Sequence, residues 1–400
     1  MNRLAVLALS HAFMDCMLNV VPPLTPFLAR DYGLSLAQLG AVAMMASLSS
    51  GLLQPVLGAA VDRLGTSRPF PWTVLWAGAF AGLVGWAPTF PALLAAVFLL
   101  GIGGAFFHPL GAVIVPRAAE RFAASKATAM SIFSFGGTIG IALAPVLFAF
   151  LAYSFGLRGV LWVVVPAGLI ALANLVVGNG KIPTGPEEGS AGAHGAHGGA
   201  AHPGLPDRPE ALFWLCAAMT LRLVLYGAVL AFLPLLFVER GYSETRAGLL
   251  LAGFLFTGSA GAILGARLSD FWGRRAVTAV SAFLIPPGVL GFLFLDGALS
   301  LACLGVAALT IFATFSAVVI YAQELLPSRK AQAAGLVMGF VWALASLATP
   351  AVGGVADRFG LAATLAWLTP APLVAGFIAL KLPETLPPRR RALRRGAAGA

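Results

Sequence analysis

The sequence contains unusually few charged residues. Asp, Glu, Lys and Arg make up only 10% of its 400 residues, whereas hydrophobic residues make up 59% and the mean hydropathy is +0.91. Soluble globular domains have about a quarter of their residues charged, so this composition excludes that class. What fits is a helical membrane protein that crosses the bilayer many times. The net charge of +10 does not indicate nucleic-acid binding, because the basic residues nowhere form a face with interleaved aromatics.

Cysteine is nearly absent, and the common enzyme motifs are missing. Cys16, Cys216 and Cys303 each lie within an apolar run, which excludes a disulfide framework and a C-x-x-C metal site. No Walker loop, H-E-x-x-H or G-x-S-x-G pattern occurs, so we predict neither an ATP-driven step nor enzymatic activity. We likewise expect no cofactor and no metal ion.

Apolar runs of about 20 residues predict twelve transmembrane helices. The first run continues past signal-peptide length with no A-x-A boundary followed by polar sequence, so it is kept as a span. The predicted spans cover 4–30, 36–60, 70–88, 91–115, 127–153, 159–178, 211–238, 245–268, 276–295, 298–322, 331–355 and 361–381.

The spans divide six plus six around a segment rich in Gly, Ala, Pro and His, a composition typical of flexible linkers. His194, His197 and His202 of this segment lie among Gly and Ala, so we expect a solvated tether rather than a metal site. The basic tail is expected to rest on anionic lipid headgroups. The predicted domains are an N-terminal bundle at 1–178, a cytoplasmic linker at 179–208, a C-terminal bundle at 209–382 and the tail at 383–400.

The distribution of Lys and Arg sets the predicted orientation. With a cytoplasmic N-terminus, the inner loops and tails hold nineteen of the 25 basic residues, the outer loops hold five, and Arg222 lies within a span. Because cytoplasmic loops carry the excess of basic residues, both termini are predicted to be cytoplasmic. The expected location is a plasma membrane or a bacterial inner membrane.

Span one carries three polar side chains, His11, Asp15 and Asn19, spaced four residues apart. At helical spacing they share one face, and a carboxylate cannot face lipid at low cost. Asp15 is therefore either a structural anchor bonded to a neighbouring helix or a functional group. A His and an Asp one turn apart can share a proton, so we predict that both take part in proton coupling.

Arg222 is the basic residue placed within a span, and it needs a partner because a guanidinium does not deprotonate usefully. Asp15, a substrate anion, or the two in alternation are the candidates, with a permanent Asp15 pair or a snorkelling side chain as structural alternatives. Its fork of donors suits a phosphonate or a carboxylate. Tyr226, one turn on, would share its face and is predicted to contact substrate.

Two loops repeat one pattern, 208 residues apart. The loop after span two contains Gly58, Asp62, Arg63, Gly65 and Arg68 in a G-x-x-x-D-R-x-G-x-x-R pattern. The loop after span eight repeats the order acid, glycine, basic cluster; its members are Asp270, Gly273, Arg274 and Arg275, with Gly265 one residue early. By this pattern the chain resembles the major facilitator superfamily.

That resemblance implies a secondary transporter in which Gly58, Asp62, Arg63 and Arg68 latch the cytoplasmic side, with Asp270 and Arg274 as a second copy. Topology-setting charges are the alternative. Span five contains Gly136, Gly137, Gly140 and Pro145, which is similar to the superfamily's antiporter motif, although plain helix packing explains it equally well.

Gln54 with Pro55, the stretch 101–109, the stretch 321–327 and the His11-x-x-x-Asp15 pattern resemble the fosmidomycin resistance protein family. That resemblance implies export of small drugs in exchange for protons. His108, before Pro109, is predicted to be a cavity or proton-relay residue, against a helix-to-helix hydrogen bond. Glu324 is predicted to be a second protonation site or an interfacial charge paired with Arg329 or Lys330. The other matching positions, expected with Asn19 to bind substrate, are Gln54, Phe107, Phe133, Tyr321 and Gln323.

The sequence therefore predicts a twelve-helix, all-α transporter of two pseudo-symmetric six-helix bundles, and the resemblance to the superfamily implies that it works as a monomer. Its partners are protons, the lipid bilayer and a small anionic or drug-like compound, exported by proton antiport. The alternative is a proton symporter or uniporter for a sugar, organic acid or other nutrient. A channel or a sensor is more remote, since nothing resembles a selectivity filter.

Overall fold

A computed structural model describes residues 2–120, 126–182 and 206–385 of the chain, and its regular secondary structure there is entirely helical. The α-helices of these ranges are α1 (Arg3–Leu18), α2 (Val21–Tyr32), α3 (Leu36–Leu64), α4 (Phe70–Leu83), α5 (Phe90–Glu120), α6 (Lys126–Phe155), α7 (Val164–Val177), α8 (Pro209–Glu239), α9 (Glu244–Trp272), α10 (Arg274–Phe294), α11 (Gly297–Phe312), α12 (Phe315–Leu325), α13 (Lys330–Gly335), α14 (Val341–Ser346), α15 (Thr349–Phe359), α16 (Leu361–Leu368) and α17 (Pro370–Lys381).

Within the described ranges, eleven helical stretches are long and apolar enough to cross a bilayer. The shorter apolar helix Phe70–Trp86 takes the place of the predicted third span. Large apolar side chains, such as Phe135, Val176 and Phe256, are exposed along these helices, as lipid-facing surfaces require. The predicted all-α membrane fold is confirmed.

Span one is not the continuous helix that the apolar run predicts. α1 ends at Leu18 and α2 begins at Val21, with prolines at 22 and 23. A proline has no N–H to continue the helical ladder but fits the first turn of a helix, so the break falls where the sequence places two of them. The Asn19 side chain donates to the Asp15 carbonyl (2.8 Å) and stabilises the end of α1.

Span ten is also divided, although no proline marks the place. α11 ends at Phe312 and α12 begins at Phe315, with Ala313 and Thr314 between them. Span eleven contains a π-helical turn at Leu336–Phe340. Helix breaks and π-turns within membrane spans are common at binding sites, because they free backbone groups for other partners.

Two compact units divide the chain. The first holds α1 to α7 together with the segments Ala228–Gly253 and Ser346–Leu361. Its closest packing pairs are α1 with α6, α3 with α5, and α15 with α3. These bounds follow packing, whereas the six-plus-six division follows the symmetry of the sequence, which stays a prediction.

The second unit holds the start of α8 up to Gly227, the segment Phe254–Ala345, and the helices from Ala362 onward. Within it, α10 packs on both α11 and α17. Gly265 of α9 lies so close to the break after α11 that an added Cβ would overlap the Ala313 carbonyl oxygen. Gly265, the first glycine of the second loop pattern, therefore lies where the backbones of α9 and span ten come into contact.

The described ends of the predicted linker are held by hydrogen bonds. Ser67 exchanges bonds with Asn179 and Ile182 at 2.8 to 3.2 Å. At the other end, the Asp207 carboxylate accepts from the backbone N–H and the hydroxyl of Ser328, which lowers the pKa of Asp207. The linker histidines His194, His197 and His202 and the tail arginines lie outside the described residues.

Candidate functional site

Three titratable side chains meet in the first unit. His11 and Asp15 lie one turn apart on α1, with His11 Nε2 3.3 Å from Asp15 Oδ2. His108 reaches the same carboxylate from α5, with its Nε2 3.6 Å from Asp15 Oδ1. Both imidazoles therefore face one carboxylate, each through Nε2, and we call these three residues the Asp15 cluster.

The hydrogen bonds of His11 indicate where a proton must lie. Its Nδ1 is 2.8 Å from the Phe133 carbonyl oxygen, which can only accept, so Nδ1 carries a hydrogen. If Nε2 had no hydrogen, its lone pair would face the Asp15 carboxylate at 3.3 Å, which is repulsive. A hydrogen on Nε2 would turn that contact into a hydrogen bond to the carboxylate; the role of His11 and Asp15 in proton coupling stays a prediction.

Glycines on α6 allow that helix to approach the Asp15 cluster. A Cβ added at Gly137 would lie 2.5 Å from Asp15 Oδ2 and 2.8 Å from the His11 ring. At Gly140 and Gly136 it would overlap the carbonyl oxygens of Ala12 and Ala8. The small residues of the predicted antiporter motif thus let α6 close over Asp15, while Pro145 is buried one turn beyond.

Aromatic rings cover the His11 side of the cluster. Phe133 stacks on the His11 ring with centroids 4.1 Å apart, and Phe107 lies 5.8 Å from it. Phe107 is fully buried and also stacks on Phe70 at 4.8 Å. The two predicted substrate residues Phe107 and Phe133 therefore lie against the His11 ring, and their contact with a substrate stays a prediction.

Imidazole and carboxylate groups are also common metal ligands. The ligand atoms of the Asp15 cluster lie within 4.8 Å of one another, so the cluster could hold a metal ion. The chain is predicted to bind none, and the bond from Nδ1 of His11 to a backbone carbonyl would orient the ring equally well for a metal or a proton.

A separate cavity of about 260 Å³ lies in the second unit beside Arg222 and Tyr226 of α8. Thr314, Phe315 and Val318 line it from the break between α11 and α12, and Trp342 lines it from α14. Both side chains that the sequence predicts on this face of span seven therefore reach a cavity.

Arg222 links α8 to the end of α11 and to α10. Its NH2 group donates to the carbonyls of Thr310 (3.1 Å) and Ile311 (3.3 Å) at the end of α11. Its NH1 group donates to the Thr278 carbonyl (3.2 Å) and the Ser281 hydroxyl (3.0 Å) on α10. The last carbonyls of a helix lack intrahelical donors and carry partial negative charge, so a cation stabilises this end.

The other predicted substrate residues have varied surroundings. Tyr321 is fully buried and donates its hydroxyl to the Pro383 carbonyl at 2.7 Å, which anchors the segment after α17. Asn19 caps α1, as described above. Gln54 on α3 and Gln323 on α12 are partly exposed. Contact of these four with substrate stays a prediction.

The second copy of the loop pattern forms an ionic network. Arg274 donates to Asp270 (2.8 Å), and its Nε lies 3.4 Å from Glu324 Oε2. Glu324 also accepts from the Thr385 hydroxyl, and the Arg274 backbone N–H donates to Glu384 (2.9 Å). The predicted partners of Glu324 were Arg329 and Lys330; the structure pairs it with Arg274, because the Arg274 side chain is buried beside it.

In the first copy, Gly65 ends α3 in the left-handed region with a positive φ of 61°, which favours glycine and allows a tight turn. At Gly58 the helices are not unusually close, because an added Cβ would lie an ordinary 3.8 Å from Pro109. Arg63 and Arg68 are exposed. The Asp62 side chain lies outside the described residues, and the latch role stays a prediction.

Sequence reasoning missed Asp357. Its two carboxylate oxygens accept from the backbone N–H groups of Leu36 (2.8 Å) and Ala37 (3.0 Å) in the first turn of α3. The available signal was a third G-x-x-x-D-R-x-G pattern at 353–360, where Gly353 lies so close to α3 that a Cβ would overlap the Leu36 carbonyl oxygen. Nearby in the same unit, Arg30 pairs with Glu244.

A family model described as the Major Facilitator Superfamily matches residues 7–350. The chain belongs to the Major Facilitator Superfamily. It is therefore a multi-pass membrane transporter of small molecules rather than an enzyme.

Relatives and a solved structure within the Major Facilitator Superfamily agree with this assignment. The chain is 28% identical to the fosmidomycin resistance protein of Escherichia coli over 372 residues, 89% of this chain and 86% of that one. It is 26% identical to YfnC of Bacillus subtilis, an uncharacterized MFS-type transporter, over 95% of this chain and 92% of the relative. The nucleoside transporter NupG superposes with a TM-score of 0.75 at 14% identity, covering 96% and 99% of the two chains.

Proposed function

We propose that this protein exports a small anionic or drug-like compound in exchange for protons. The observation that carries the proposal is the Asp15 cluster, in which two imidazole Nε2 atoms lie 3.3 and 3.6 Å from one carboxylate. The Nδ1 bond of His11 leaves a position for one proton between His11 and Asp15. The sequence contains no Walker loop, so export against a concentration gradient would draw its energy from an ion gradient, and this position would supply the ion site.

The proposed coupling depends on helix movement. His108 lies on α5, whereas His11 and Asp15 lie on α1, so sliding of α5 against α1 changes the charge around Asp15 while His11 stays one turn away. Such a change makes the cluster bind its proton in one state and release it in the other. Because α6 contributes glycine backbone at Gly136, Gly137 and Gly140, the titratable groups that face Asp15 among the described residues are the two histidines.

Latches at the helix ends would separate the states of alternating access. In the predicted orientation, the start of α3 and the end of α15 lie on the outer side of the membrane. The bonds from Leu36 and Ala37 to Asp357 would therefore stabilise the state in which the transport path is closed on that side. On the cytoplasmic side, the network of Asp270 with Arg274 would take the same role, and so would the loop after span two, as the resemblance implies. Both termini are then cytoplasmic, the location is a plasma or inner membrane, and the unit of transport is a monomer.

The experiment uses everted membrane vesicles energised so that the lumen is acidic, with a pH-sensitive dye inside. The name of the Escherichia coli relative makes fosmidomycin the first compound to test. Exchange predicts that its addition makes the lumen more alkaline, and co-transport predicts no such change. Asp15→Asn should abolish the response, whereas the matched control Asp296→Asn, an exposed acid outside the cluster, should leave it intact.

A readout that needs no substrate keeps the proposal testable if fosmidomycin is not carried. Infrared difference spectra between about pH 5 and pH 8 report protonation of buried carboxyl groups. The wild type should show a carboxyl band that Asp15→Asn removes and Asp296→Asn retains. An unchanged band in Asp15→Asn, or full pH-driven exchange by that variant, would contradict the assignment.

A further inference from the structure

The cavity beside Arg222 has a definite size and character. Its volume of about 260 Å³ lies just under the range of about 300 to 1,000 Å³ that is typical of drug-sized ligands. Most of its wall is apolar, including Met219, Leu223, Val337 and Met338. A compound that fills it must be small and largely apolar.

The cavity also carries one full positive charge. Arg222 is only 4% exposed, and its four hydrogen bonds go to three carbonyls and one hydroxyl, all of them neutral. The partial charge at a helix C-terminus offsets about half of a unit charge, so the guanidinium retains a net positive field. Its Nε–H has no acceptor among the described residues. A buried cation of this kind favours an anion beside it.

A second polar group in the wall has no partner. The Thr314 side chain is fully buried, and its hydroxyl makes no hydrogen bond to any described residue. Thr314 directly precedes α12, at the N-cap position. A threonine there usually accepts a hydrogen bond from the first turn of the helix, yet Thr314 makes no such bond. A buried hydroxyl without a partner carries a desolvation cost, so a ligand oxygen that meets it would gain affinity.

Aromatic rings form another part of the wall. Tyr226 lies edge-on to Phe315 and to Trp342, with centroids 5.5 and 5.7 Å away. Phe315 and Trp342 are themselves 5.3 Å apart at 70°. Rings held at such angles present both edges and faces, which is the geometry that binds another aromatic ring.

We propose that this cavity binds a small aromatic monoanion, with its carboxylate beside Arg222 and Thr314 and its ring against Tyr226, Phe315 and Trp342. A single charge follows because Arg222 is the one cation among the described residues that line the cavity, and a dianion would leave a second charge uncompensated there. The inference deepens the proposed function, on which it rests for the cavity's role as the transport site.

The test measures binding of three compounds to the purified full-length protein by calorimetry. 3-Phenylpropionate is the expected ligand, 3-phenylpropanamide is its neutral counterpart, and phenylphosphonate is a more highly charged analogue. We expect the amide to bind at least about tenfold more weakly, since it cannot compensate Arg222. Equal binding of the amide, or tighter binding of the phosphonate, would overturn the proposal.

Thr314→Val tests the proposal without disturbing the fold. Valine has nearly the same shape, and removing an unpaired buried hydroxyl should leave the melting temperature of the free protein unchanged or raised. Affinity for 3-phenylpropionate should nevertheless fall roughly five- to tenfold. The matched control is Thr220→Val, whose hydroxyl bonds the Cys216 carbonyl of its own helix (3.0 Å) and whose loss should leave affinity unchanged. Wild-type affinity in Thr314→Val would refute this contact.

The outcomes also separate this inference from the proposed function. If the proton-exchange assay succeeds only with neutral compounds and 3-phenylpropionate does not bind, the substrate class is wrong while proton exchange stands. If 3-phenylpropionate binds and Thr314→Val weakens it, but Asp15→Asn leaves exchange intact, the cavity is correct and the proton site is wrong.

Discussion

The carboxylate of Asp357 caps the helix that begins at Leu36, 321 residues earlier in the chain. Its two oxygens accept the backbone N–H groups of Leu36 and Ala37 at 2.8 and 3.0 Å. The first N–H groups of a helix have no partner within the helix, and the positive end of the helix dipole favours an anion there. The third occurrence of the loop pattern thus caps a distant helix through its acidic residue. The latches expected from the first two occurrences stay predictions.

Asp357→Ala should lower the apparent melting temperature of the purified protein, with a loss of about 1 kcal/mol, because an exposed helix cap contributes about that much. Asp296→Ala is the matched control, since Asp296 precedes α11 without capping it through its side chain. Thermal unfolding followed with a thiol-reactive dye measures both. Equal melting temperatures in the two variants would show that the Asp357 contact contributes nothing.

Gly140→Ala should destabilise the protein by about 1 to 3 kcal/mol, because its new methyl group would overlap the Ala12 carbonyl oxygen and push α6 from α1. Gly168→Ala on α7 is the control, since nothing lies within 4 Å of an added Cβ there. In that variant the helix propensity of alanine should give equal or higher stability. Similar melting curves for the two variants would contradict the close approach of α6 to the Asp15 cluster.

The pair His11→Asn and His11→Gln separates the two roles of His11. An asparagine amide can replace Nδ1 as donor to the Phe133 carbonyl, whereas a glutamine amide reaches the Nε2 position beside Asp15. Neither amide titrates, so both variants should lose pH-driven exchange by at least about tenfold. Only His11→Gln should also lose stability, by about 1 kcal/mol. Full exchange by His11→Asn would remove His11 from the proton path.

Glu324→Gln decides between the two roles predicted for Glu324. Because Arg274 and Thr385 already hold its carboxylate, we expect pH-driven exchange to persist while stability falls by about 1 to 2 kcal/mol. The control Glu210→Gln changes an exposed acid in the first turn of α8. If Glu324→Gln binds substrate but no longer exchanges it against a pH gradient, then Glu324 is a second protonation site.

Much of the candidate site could be predicted from the free-energy cost of placing polar side chains in lipid. An acid and an imidazole one turn apart in an apolar run, and an arginine in another, must have polar surroundings in lipid, whatever the fold. For that reason His11, Asp15 and Arg222 could be identified from the sequence. Local spacing could also pair His11 with Asp15, since residues four apart share a helix face.

The partners that come from distant segments could not be predicted in this way. Placing His108 on Asp15, Phe133 on His11 and Arg274 on Glu324 depends on which helices pack together and at what register, and apolar patterns in lipid-facing helices carry little of that information. The same limit hid Thr314, because no proline marks the break that places this residue beside the cavity.

The sequence by itself determined that the chain must fold as apolar helices in a bilayer, because a chain with so few charged residues is not soluble in water. It also determined which side chains could not face lipid. The tertiary structure alone decided which of them meet, because the close approaches at Gly137 and Gly140 and the helix break at Thr314 are set by contacts between segments far apart in the chain.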